Sequence, residues 1–142
     1  MAAFKFDLQK VLNVRNIEED MAQNKFRKAK EEKKELERQL ENLKETKQDI
    51  HKYIRNHSSV ERILHARRFL QRHEQKIDNH KKRLLQKERE VAKKQKEMLN
   101  KQKKRKVLDK LKEQKYKNFY QEKIKDQQKQ LDEIAQHEGE GR

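Results

Sequence analysis

The side chains best equipped for chemistry are two histidines, His73 and His80, and two runs of cations, Lys81-Lys82-Arg83 and Lys103-Lys104-Arg105-Lys106. Histidines ligate metals and titrate near neutral pH. Seven residues apart on a helix, His73 and His80 share a face but stand about 10 Å apart along the axis, whereas both ligands of one zinc lie about 2 Å from it. No histidines are spaced four apart. The pair therefore fits a helix seam or surface, and no metal is assigned. The cation runs suit anionic partners: nucleic acid, acidic lipid or an acidic protein cleft. Phosphate-cradling loops need glycine-rich turns, and the 2 glycines stand at 139 and 141. Catalytic triads and paired acids need a desolvated site that holds them in place. A chain of long helices encloses no such site. No catalytic or cofactor-binding residue is assigned, and no cofactor or small-molecule substrate is expected.

The elements that carry these residues are legible from spacing. An apolar residue recurs at every seventh position through Ile63, Leu70, Ile77, Leu84, Val91 and Met98, and the chain has no proline. That pattern predicts long helices that supercoil around a partner. A first helix can be phased from Leu8 in alternating steps of four and three: Leu8, Leu12, Arg15, Glu19, Ala22, Phe26, Ala29, Lys33, Leu36, Leu40, Leu43, Lys47, Ile50, Ile54. A helix over about residues 4–56 would be about 80 Å long. Its first turns carry a second stripe, Val11, Val14, Ile17 and Met21, which is more apolar surface than one partner helix covers.

The break is expected at about 56–59, where Ser58 and Glu61 have the spacing of a capping box. A second helix then runs over about 59–136, before a frayed tail at 137–142. Its companion seam positions are Ala66, His73, His80, Lys87, Lys94, Lys101 and Leu108, and past Arg105 the phase slips through Val107, Leu108 and Leu111 to Tyr116, Phe119 and Tyr120. Two long helices and a short turn predict one all-α domain over 1–142, an antiparallel coiled-coil hairpin without a pocket. Pairing about the turn would set Phe4 near Lys112 and leave about 25 residues of the second helix protruding, Tyr116, Phe119 and Tyr120 among them.

Of the 142 residues, 30% are hydrophobic and 46% are charged, so disorder is the first alternative, and the sustained phase of the apolar residues excludes it. Formal net charge is +15, concentrated after residue 57 and densest over 81–106. There is no cysteine, hence no disulfide or thiolate site, as suits a reducing cytosol. The first residues lack the apolar core of a signal peptide, and no apolar run approaches a bilayer-crossing length. Any membrane association is expected to be peripheral.

The opening Phe4-Lys5-Phe6-Asp7-Leu8-Gln9-Lys10-Val11-Leu12-Asn13-Val14-Arg15, followed by Glu18 and Glu19, resembles the start of FliJ proteins, small components of the bacterial flagellar type III export apparatus. The segment Leu131-Asp132-Glu133-Ile134-Ala135 is similar to theirs as well, as are the length, charge and turn position. The resemblance implies an antiparallel coiled coil like the gamma stalk of rotary ATPases. It implies a cytoplasmic protein, peripheral at the inner face of the cell membrane through the export apparatus. Its termini would enter the hexameric ring of the export ATPase and promote assembly. Its turn end would face the cytoplasmic domain of the export gate, and some members also bind export chaperones.

Combined with the residue pattern, the resemblance gives two sets of contact residues. Phe4, Phe6, Val11, Val14, Ile17, Tyr116, Phe119 and Tyr120 are expected to meet the ATPase ring. Gln39, Leu43, Phe69, His73 and His80 are expected to meet the gate, with Phe69, His73, Lys76 and His80 continuing one side of the second helix. His73 and Lys76 depart from the apolar residues that relatives can carry there. Two other readings of a basic coiled coil are a sequence-blind nucleic-acid binder and a generic structural tether. A basic leucine zipper would set its cations before a clean zipper, whereas here they overlap the repeat, and neither role requires the opening motif.

Overall fold

The computed structural model describes residues 3–140. It contains two helices, α1 from Gln9 to Asn56 and α2 from Val60 to Glu140. Both are unbroken, because neither carries an internal proline and their surfaces are filled with straight-chain Lys, Glu, Gln and Arg, which lose little rotamer freedom in a helix. The phase slip near Arg105 leaves α2 continuous. The helix also runs four residues past the expected end at Gln136, and 141–142 of the expected frayed tail lie outside the described residues.

Two boundaries differ from expectation for identifiable reasons. At the start, residues 3–6 are not helical. The Gln9 N–H donates to the Phe6 carbonyl at 3.0 Å, and the first full helical bond runs from Leu12 N–H to the Leu8 carbonyl. Phe6 is buried, so the chain turns there to seat its ring before the helix begins. At the second start, Ile63 N–H donates to the Ser59 carbonyl at 3.0 Å, which makes Ser59 the capping position. Ser58 and Glu61 are therefore one residue out of capping-box register. Glu61 instead lies in the first turn, where its charge complements the helix N-terminus. The end of α1 is closed by His57, whose Nδ1 lies 2.9 Å from the Tyr53 carbonyl while its ring stacks on Tyr53 at 3.8 Å. A carbonyl can only accept, so that nitrogen carries the proton and satisfies one of the carbonyls a helix end leaves free.

The chain forms two compact units, Met21–Leu99 and Met1–Asp20 with Asn100–Arg142. In the first, α1 and α2 pack antiparallel. Ala29, Leu40, Ile50 and Ile77 are buried, and the remaining seam residues from Ala22 to Met98 are at least half-buried. Cross-helix bonds fix the register: Lys87 to Glu32, His80 to Gln39, His73 to Leu43 and Lys47 to Glu74. From Glu32–Lys87 through Gln39–His80 to Leu43–His73 the α1 number rises as the α2 number falls, as antiparallel helices require.

In the second unit, Phe6 and Leu12 are buried, with Leu108 and Leu111 half-buried. Glu18 pairs with Lys101, Glu19 with Arg105, and Lys112 donates to Gln9 at 2.6 Å. Phe4 packs edge-on against Tyr116 at 5.2 Å and tilted on Phe119 at 5.6 Å, rather than meeting Lys112. Extended chain advances about 3.3 Å per residue against 1.5 Å for a helix, so the non-helical residues 3–6 reach a further turn along α2. The free end of α2 is correspondingly shorter than expected, and Phe119 is half-buried rather than bare.

Ile77 is 4% exposed and Leu131 66%. Ile77→Ala is expected to cost about 2–4 kcal/mol in urea denaturation followed by circular dichroism, and Leu131→Ala less than about 0.5 kcal/mol.

Candidate functional site

The unit holding the chain ends presents an apolar face beside its seam. Leu8, Val11, Val14 and Ile17 are exposed, Val14 by 50% and Ile17 by 59%. Their three-residue steps run along the flank of the Leu12–Arg15–Glu19 seam line, which α2 covers, while the flank remains open. Tyr116 and Tyr120 are also exposed. A shallow groove of about 740 Å3 is lined by Phe4, Lys5, Lys115, Asn118 and Phe119 among others. Seven of the eight residues expected to meet a ring thus reach the surface at least in part. Phe6 does not: it is buried and holds the end in place. Beyond Tyr120, Ile124, Leu131 and Ile134 are exposed along the rest of α2. Met21, the last residue of the expected stripe, is exposed in the other unit.

The unit holding the turn brings all five expected gate residues into two linked sets. Phe69 is 47% exposed, and its ring stacks on His73 at 5.9 Å. The His73 Nε2 lies 2.6 Å from the Leu43 carbonyl, so it carries the proton and donates. His80 Nε2 lies 2.9 Å from Gln39 Oε1, and the Gln39 amide donates to Glu35 at 3.3 Å. The expectation that His73 shares an exposed side with Phe69 fails. His73 is 5% exposed, because it stands at the seam position three residues after Leu70 and a backbone carbonyl of α1 meets it there. Phe69, Gln39 and Lys76 supply the surface; His73 sets the pairing beneath it.

The expectation of a pocket-free molecule needs a further correction. An open groove of about 630 Å3 is lined by Thr46, Asp49, Ile50, Tyr53, Arg62, His65, Ala66, Phe69 and Arg72. The signal was present in the sequence as aromatic residues just off the seam on both helices, Tyr53 and Phe69. Among the described residues, no group of three or more His, Asp or Glu side chains could hold a metal ion, and no helix is long and apolar enough to cross a membrane.

The cations divide by position. Lys87, Lys101 and Arg105 turn inward and pair with Glu32, Glu18 and Glu19 respectively. The hydrogen bond from Lys87 and its charge hold the Glu32 carboxyl below its ordinary value. Glu18 is lowered likewise, first by the Arg15 hydrogen bond and then by Lys101. Lys87 is raised by the bonds it donates to Glu32 and Glu90. Lys81, Lys82 and Arg83 in one unit and Lys103, Lys104 and Lys106 in the other remain exposed.

The family model described as Flagellar FliJ protein matches residues 4–141. The chain belongs to the FliJ family. No curated protein and no solved structure matches it. As a FliJ protein it is a component of flagellar protein export, with the all-helical hairpin and the opening motif that suggested this family. Lys87, Lys101 and Arg105 are thus engaged in ion pairs across the seam of this hairpin.

A depressed carboxylate stabilises the fold above its unfolded pKa of about 4.3, and that contribution is lost as pH falls through the folded value. Glu32→Gln is therefore expected to lower the urea midpoint at neutral pH, with the gap to the parent closing below about pH 4. An unchanged gap would remove the ion pair as its cause.

Proposed function

We propose that this chain is a non-enzymatic, stalk-like coupling protein of flagellar export. The unit containing both termini grips the hexameric export ATPase and promotes its ring assembly. The unit containing the turn contacts the cytoplasmic domain of the export gate, and export chaperones are further partners. This localises the protein to the cytoplasm, at the inner membrane face through the apparatus. ATP hydrolysis belongs to the ring.

The observation that carries the reading is the exposed Leu8–Val11–Val14–Ile17 flank in the same unit as Tyr116 and Tyr120. A monomeric surface rarely leaves contiguous apolar residues uncovered unless a partner covers them. Valine and isoleucine on a rigid helix lose little rotamer freedom when they are buried, which suits them to a ring lining. In the turn unit, Phe69 is a single large anchor supported from beneath by His73, the arrangement of a contact residue on a rigid base.

Addition of the protein to the cognate export ATPase should raise turnover and ring formation. Val14→Asp with Ile17→Asp should abolish that effect without changing helicity by circular dichroism, since both positions are solvent-facing. No stimulation by the parent at saturation would contradict the stalk role. Phe69→Ala should weaken binding to the gate domain about tenfold or more at unchanged helicity, as loss of a central aromatic anchor does.

A further inference from the structure

The turn end of the Met21–Leu99 unit has a composition that the gate patch does not use. From 51 to 72 the chain carries Lys52, Arg55, Arg62, Arg67, Arg68 and Arg72 against one acid, Glu61. All seven side chains are exposed. In the first turns of α2, Val60 is 71% exposed and Leu64 51%. These two stand one helical turn apart, and Arg67 and Arg68 follow on the same outward side, one further turn along. Phe69 and the groove with Arg62, His65 and Arg72 lie on the other flank of the helix. Tyr53, stacked on His57 at the end of α1, lines that same groove and is not part of the Val60–Leu64 side.

Apolar residues at a helix start with cations one to two turns behind them are the parts of an interfacial membrane contact. The apolar side chains enter the headgroup boundary, and arginine stems reach back to the phosphates. An acidic protein would satisfy the charge. Charge alone does not call for Val60 and Leu64, two large apolar side chains exposed at the start of α2. We propose that the turn end docks directly on a bilayer surface bearing anionic lipid headgroups, with Val60 and Leu64 at the interface and Arg55, Arg67 and Arg68 on the phosphates. This adds a lipid partner to the protein partners above and does not depend on them.

Flotation of the full chain with vesicles tests it without any flagellar component. The chain should float with phosphatidylcholine–phosphatidylglycerol vesicles in a two-to-one ratio and remain unbound with phosphatidylcholine alone. Each cation near an anionic surface strengthens binding about fivefold, so Arg67→Ala with Arg68→Ala should weaken it more than tenfold. Val60→Ser with Leu64→Ser, which changes no charge, should weaken it several-fold. Lys103→Ala, Lys104→Ala and Lys106→Ala together should matter less than the arginine pair. Circular dichroism should be unchanged in every variant, as these positions are exposed. The proposal is overturned by failure to float with the anionic vesicles or by a lysine triple variant that loses more than the arginine pair. It is also overturned if the Val60/Leu64 variant binds like the parent. That last result would mark a charge-only surface suited to an acidic protein, and soluble polyglutamate would then compete with the vesicles.

Discussion

Two helices in a chain that is 46% charged hold together only along one narrow line of inward residues, and the placement of everything else follows from that line. Hydrophobic burial drives the pairing, but the line is apolar only at alternate steps on α2. His73, His80, Lys87, Lys101 and Arg105 stand where leucines would otherwise be. Each has a partner on α1: the Leu43 carbonyl, Gln39, Glu32, Glu18 and Glu19. A buried polar group without a partner costs more than the bond it would have made, so buried His73 penalises a slipped pairing, and the partly exposed cations add to that preference through their ion pairs.

The consequence for function is a separation of roles within each unit. The seam uses one stripe of α1, and the flanking stripe of Val11, Val14 and Ile17 stays open because a single neighbouring helix cannot cover both. Phe69 likewise lies just off the seam, so it is supported without being enclosed. Both flanks are open to solvent among the described residues.

Much of this was legible in the primary structure. The four–three phase of α1 from Leu12 to Ile54 coincides with its buried and half-buried residues, and the heptad from Ile63 to Met98 does the same on α2. Those readings succeed because side-chain spacing on a helix is fixed by its geometry. Two of the missed details depend on backbone that is not helical. Phe6 stops the helix by being buried, and the extended residues before it carry Phe4 to Tyr116 and Phe119, a shift that counting residues along a helix does not give. Ser59 displaced Ser58 as the cap because both have the right chemistry and only the path of the turn distinguishes them. His73 was placed on two faces at once by its spacing, and the hydrogen bond to Leu43 decides between them. The groove at Tyr53 and Phe69 was passed over because coiled-coil patterning describes the seam and is silent about its flanks.

The central claim is that the chain folds back on itself in the register set by the seam. Spin labels at Gln39 and His80, introduced as cysteines into a chain that has none, measure it directly. In dilute solution the account predicts one narrow distance, about the 8–10 Å spacing of packed helices plus the label arms. A broad distribution, or a short distance that appears only when singly labelled chains are mixed, would contradict it.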